Sequence, residues 1–130
     1  DASVDAALLT TTEDRSAGSV TLAGTEGKDV IFATALDDTL IGGGGADQFV
    51  FAPQDHANTD TIMDFVPELD QIDLRAFAAV DSSTIESWLA NPLNQTTDGV
   101  RFTLDTHDTL ILKNVVLANL NLSDFILSPN

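Results

Sequence analysis

The stretch GTEGKDVIFATALDDTLIGGGGADQFV, residues 24–50, decides how the chain is read. It contains four consecutive glycines, Gly42 to Gly45, residues that lose more backbone entropy on ordering than any other. Cut into nines, the stretch gives GTEGKDVIF (24–32), ATALDDTLI (33–41) and GGGGADQFV (42–50). The sixth place is aspartate in all three units: Asp29, Asp38 and Asp47. The eighth is large and apolar: Ile31, Leu40 and Phe49. Glycine holds the first and fourth places of the outer two, at Gly24, Gly27, Gly42 and Gly45, whereas the middle unit is degenerate. The glycine run is therefore a repeat unit and not a linker. The preceding nine residues, RSAGSVTLA (15–23), keep only Gly18 and Leu22.

A nine-residue unit divides into a six-residue turn and a three-residue strand. Successive strands then run in opposite directions and successive turns fall on opposite edges, so same-edge turns are eighteen residues apart. That spacing predicts Asp47 above Asp29, on strands about 4.8 Å apart. Two carboxylates about 4 Å apart repel by about 4 kcal/mol at an effective dielectric near 20. A hard dication between them reverses the sign. Calcium accepts carboxylate and backbone carbonyl oxygens together, and glycine lets those carbonyls approach.

Composition points the same way. The chain has 130 residues, one domain's worth, and 43% are hydrophobic, enough to bury a core. Against this, 21 acidic residues face 5 basic ones, a formal charge of −16. Such a charge argues against nucleic acid and anionic membrane as partners, and self-repulsion favours a bound cation. With no cysteine there is no disulfide, thiolate metal site or cysteine nucleophile. No apolar run is long enough to span a membrane, and no N-terminal signal peptide is visible. A start at Asp1 is expected of a fragment or processed product.

Outside the repeats, residues 1–23 read as a lead-in with a strand at Ser19 to Leu22. The segment 59–74 reads as a strand, a proline turn and a second strand. A helix is expected over 82–90, with Ser83 and Glu86 at capping-box spacing and Asn91-Pro92 ending it. Asp73 is expected to cap a helix beginning at LRAF. Residues 99–104 and 108–113 alternate and form a hairpin around DTHD. Asp64 and Asp70 read as structural or solvated, His56 and His107 as surface residues, and Trp88 and the seven phenylalanines as core. No pairing of nucleophile, base or HExxH marks an enzyme.

The nonapeptides resemble the G-G-x-G-x-D-x-U-x pattern of the RTX calcium-binding β-roll, found in serralysin-type proteases, haemolysin-type toxins, alginate epimerase modules and adhesins. The segment FVFAPQDHANTDTIMDFVPELDQIDL is similar to the stretch after the roll in serralysin C-terminal domains. DTLILKNVVLANLNLSDFIL resembles the C-terminus of type I secreted proteins. The resemblance implies an all-β fold: a short parallel β-roll capped by a C-terminal antiparallel β region with one or two short helices. It divides the chain into a lead-in (1–23), a roll (24–60) and a capping and secretion-target region (61–130). In that family one turn gives the carbonyls of its second and fourth residues plus its aspartate, and the facing turn those of its first and third plus its aspartate. Carried over, the first Ca2+ site is Thr25, Gly27 and Asp29 with Gly42, Gly44 and Asp47. The second, on the opposite edge, is Thr34, Leu36 and Asp38 with Asp55 and Asp60. The resemblance further implies secretion to the extracellular space or cell surface, with the ABC-transporter machinery as partner and a signal within 108–130. A polysaccharide-binding module is the second reading, and the scattered Arg15, Lys28, Arg75, Arg101 and Lys113 argue against it.

Overall fold

The nine-residue spacing becomes two stacks of parallel strands. The computed structural model describes residues 11–14, 19–34, 37–53 and 57–127. Its strands are β1 (Thr11–Asp14), β2 (Ser19–Ala23), β3 (Val30–Phe32), β4 (Asp37–Ile41), β5 (Gln48–Val50), β6 (Asn58–Ile62), β7 (Gln71–Asp73), β8 (Gln95–Thr96), β9 (Gly99–Thr103), β10 (Asp108–Lys113) and β11 (Phe125–Ile126). The single α-helix among the described residues is α1 (Ser82–Ala90). One sheet has the order β1-β2-β4-β6-β10-β9-β8, the other β11-β7-β5-β3. Along the chain, successive repeat strands alternate between the two sheets.

Each repeat sends its eighth residue inward, and these residues stack into columns. Ile31, Phe49, Ile72 and Phe125 lie opposite one another across β3, β5, β7 and β11. In the other sheet Leu22, Leu40, Ile62, Leu112 and Val100 do the same. All nine side chains are buried and belong to one apolar cluster. Burying an aliphatic or aromatic side chain of this size stabilises by about 1.5–3 kcal/mol, so the columns are the main source of cohesion. Among the described residues the smaller sheet stops at β3. A strand eighteen residues earlier would put Glu13 in the inward place of Ile31, and β1 instead pairs antiparallel with β2.

The eighteen-residue offset holds from β2 to β4 and from β3 to β5. It then lengthens: Leu40 pairs with Ile62, and Phe49 with Ile72. Parallel stacking nevertheless continues, because β10 adds parallel to β6 and β11 parallel to β7. The antiparallel part of the C-terminal cap is confined to β10, β9 and β8. The β9–β10 hairpin forms as the alternation predicts, with Val100, Phe102, Leu104, Leu110 and Leu112 buried.

Three local expectations are corrected. The capping box of α1 is Asp81 with Thr84, not Ser83 with Glu86. The Asp81 carboxylate accepts the Thr84 N–H at 3.0 Å, starting the helix one turn ahead of its only buried residue, Ile85. No helix follows Asp73, whose carboxylate binds Arg75 and Gln48. Phe32, last in the edge strand, is 46% exposed, whereas Phe49, Phe51, Phe65, Phe77, Phe102 and Phe125 are buried. Trp88 is half-buried and stacks on Phe102 at 5.0 Å between ring centres. The alternation and caps of 82–113 thus fold as local chemistry directs, and the columns decide the rest.

Candidate metal centre

On one edge the turns 24–29 and 42–47 lie against each other. Asp29 donates its N–H to Asp47 Oδ1 at 3.0 Å, so the eighteen-residue pair is in contact. The pattern repeats one layer on, where Asp47 donates to Asp70 Oδ1 at 2.9 Å. Carbonyl oxygens extend the ladder: Asp29 accepts Gln48 N–H and Asp47 accepts Gln71 N–H, both at 2.8 Å. Asp29, Asp47 and Asp70 are all buried.

The glycines are needed where the turns touch. Gly43 and Gly45 have φ of 83° and 80°, a left-handed backbone that side chains disfavour. A Cβ on Gly43 would collide with the Thr25 carbonyl oxygen, and one on Gly45 would sit 2.8 Å from that of Gly27. A Cβ on Gly24 would come within 2.6 Å of the Gly42 carbonyl oxygen. The carbonyls of Thr25, Gly27 and Gly42 therefore lie in the seam between the turns. Gly44 is exposed and less crowded, 3.4 Å from Glu26 O by the same measure.

Within this seam one atom has no partner. Asp47 Oδ2 is buried without a hydrogen bond. Its counterpart Asp29 is satisfied by its own turn, accepting Thr25 N–H on Oδ2 at 2.7 Å and the Thr25 hydroxyl on Oδ1 at 2.9 Å. Gly43, in the place of Thr25, has no hydroxyl, and its N–H goes to Asp64 Oδ2 at 2.9 Å. Burial pushes the Asp47 carboxyl up to about 7; the Asp29 N–H opposes this, and the charges of Asp70 and Asp29 add to it. Asp47 Oδ2 lies against the place a Cβ on Gly42 would take, inside its own turn, and a buried carboxylate oxygen without a donor is costly unless a proton or a cation meets it. The donor set suits a hard oxygen-seeking ion. It relies on two carboxylates plus backbone, and among the described residues no three His, Cys, Asp or Glu side chains converge as a metal centre.

On the opposite edge Asp38 meets Asp60: its N–H reaches Asp60 Oδ1 at 2.9 Å. Thr34 clasps Asp38 through N–H and hydroxyl at 2.7 and 2.6 Å. Burial raises both the Asp38 and Asp60 carboxyls above their ordinary range. Asp37 adds a third charge there and accepts the Thr59 N–H at 2.9 Å. Leu36 and Asp55, the other members of this expected site, lie outside the described residues, as do Arg15, Gly18 and His56. His107 is exposed in the loop between β9 and β10, as expected.

Two aspartates read as structural or solvated prove to belong to the turns. Asp64 accepts Gly42 and Gly43 N–H at 2.8 and 2.9 Å, and Asp70 continues the ladder. Asp70 carried a legible signal: Asp70-Gln71-Ile72 repeats the Asp-x-apolar core of Asp47-Gln48-Phe49, displaced only by a longer connection.

A family model described as Peptidase M10 serralysin C terminal matches residues 17–127. The chain belongs to that family. That family is one of RTX-type calcium-binding repeat modules from secreted bacterial proteins, and the match is to the C-terminal domain of these peptidases, not to their catalytic domain. No curated protein and no solved structure gives a significant match. Among the described residues of this serralysin C-terminal module, no helix is long and apolar enough to cross a membrane.

Proposed function

We infer that this module is a calcium-dependent folding unit of a larger exported protein. The observation that carries the reading is Asp47 Oδ2, a buried carboxylate oxygen without a partner, in a turn whose glycines pack closely against the carbonyls of the facing turn. The first ion is held by the Thr25, Gly27, Gly42 and Gly44 carbonyls with Asp29 and Asp47. The second is held on the other edge by Asp38 and Asp60, with Thr34, Leu36 and Asp55 contributing. Calcium supplies positive charge between carboxylates that otherwise repel, and the chain supplies a seam that forms only when β3 and β5 are stacked.

The same residues explain a switch. Where calcium is scarce, the −16 charge keeps the chain loose enough to thread through an ABC-transporter channel. Where calcium is plentiful, binding is coupled to folding. At about 1 mM calcium and a Kd of about 10⁻⁴ M, each site adds about 1.4 kcal/mol. Two such sites are a sizeable share of a marginal domain's stability. The export signal is assigned to 108–130, where the sequence resembles type I secreted C-termini.

Circular dichroism of the chain during a calcium titration, with magnesium as control, tests the reading. A calcium-specific gain of β signal and melting temperature is expected. Spectra that ignore calcium would end it.

A further inference from the structure

Threonine stands in the second place of the first two repeats, at Thr25 and Thr34, where the third has Gly43. The two threonines do the same thing on opposite edges. Thr25 donates its N–H to Asp29 Oδ2 and its hydroxyl to Asp29 Oδ1, at 2.7 and 2.9 Å. Thr34 donates to Asp38 Oδ2 and Oδ1 at 2.7 and 2.6 Å. The Thr25 hydroxyl also accepts Gly27 N–H at 3.2 Å, pinning the turn at a second point. Where the threonine is replaced by Gly43, Asp47 keeps an oxygen with no donor.

We propose that Thr25 and Thr34 are affinity-setting residues, whose hydroxyls occupy aspartate oxygens in the metal-free turn and must yield them when calcium binds. This rests on the calcium reading above and deepens it. Hydroxyl and cation draw on the same carboxylate: Thr25 takes one lone-pair direction on each Asp29 oxygen, so an ion approaching on that side displaces the O–H. The clasp stabilises the metal-free turn, because a hydrogen bond to a charged acceptor is among the stronger kinds. It weakens calcium binding by the same interaction. The first site therefore joins a clasped aspartate, Asp29, to an unclasped one, Asp47: the Thr25 turn forms readily without the ion, and the Gly42–Gly45 turn depends on it more.

Thr25→Val removes the hydroxyl and keeps the β-branched shape. Melting temperatures of the parent, Thr25→Val and Thr25→Ser are compared without calcium and at saturating calcium. Without calcium, Thr25→Val is expected to melt about 5 °C below the parent. At saturating calcium the gap closes, and Thr25→Ser, which retains the hydroxyl, tracks the parent throughout. A purely structural threonine gives the same deficit with and without calcium, and that result overturns the proposal. So does a Thr25→Val chain that stays unfolded at every calcium concentration, because the lost order must be recoverable by metal. A parent with no calcium response sinks the calcium reading itself, a separate outcome seen in the same experiment.

Discussion

Asp47 shows what one carboxylate does in this fold. Its Oδ1 receives the Asp29 N–H, and its Oδ2 is buried without a partner. Asp47→Asn keeps an acceptor for that N–H and removes the charge. The variant is expected to need about tenfold more calcium at the folding midpoint, the effect of losing about 1.4 kcal/mol of ion binding. An unmoved midpoint in the titration would remove Asp47 from the site. The glycines differ among themselves in a way the sequence conceals. Gly43→Ala puts a side chain at φ 83° and against the Thr25 carbonyl, so a loss of at least about 2 kcal/mol is expected in denaturant unfolding. Gly44→Ala meets only ordinary contact with Glu26 and should cost less than about 1 kcal/mol. Equal costs for the two would show that the turns are not seated as described.

At the scale of elements, caps and columns can be separated by mutation. The start of α1 is set by Asp81, so Asp81→Ala is expected to lower the melting temperature by a few degrees. Glu86→Ala should leave it unchanged, and the reverse order would reinstate the Ser83–Glu86 box. The last strand is held by side-chain packing as well as by its pairing to β7. Phe125 fills the end of the Ile31–Phe49–Ile72 column and meets the Phe102 ring edge-on at 5.9 Å. Phe125→Ala should therefore cost about 3–5 kcal/mol in urea unfolding. The helix 82–90 and the hairpin 99–113 were legible because capping residues, the Asn91-Pro92 stop and strand alternation are local properties, although the cap itself is Asp81 and not Ser83. The partners of β10 and β11 were not, because parallel pairing joins segments some fifty residues apart and leaves no local mark.

For the whole molecule the decisive quantity is the charge confined in the turns. Burial raises Asp47 to about 7 from an ordinary 3.8, and it raises Asp38, Asp60 and Asp70 as well. Between pH 4 and about 7 the folded, metal-free chain binds more protons than the unfolded one, so its stability falls as pH rises through that window. Calcium-free protein should accordingly melt higher near pH 5 than near pH 8, and calcium binding should release protons into a weakly buffered solution. A metal-free melting temperature that climbs from pH 5 to 8 would contradict the buried, unneutralised carboxylates. Asp73 runs the other way: burial raises it, but the bonds and charge of Arg75 outweigh burial and hold it low.

The sequence by itself determined the repeat, the alternation of turns between two edges, the meeting of Asp29 with Asp47, and the acidic character that calls for a cation. These follow from a nine-residue period and from Coulomb repulsion, and both are written in composition and spacing. Asp60 was already expected opposite Asp38; only the tertiary structure decided that the stacks continue past the repeats, that Asp70 takes the place beyond Asp47 at a longer offset, and that Asp47 alone among the three repeat aspartates keeps a buried oxygen without a donor. The physical reason is that register across a parallel stack is set by which apolar side chains share a column. A longer connection can be absorbed in a loop without disturbing that column, so the period disappears from the sequence while the contact persists.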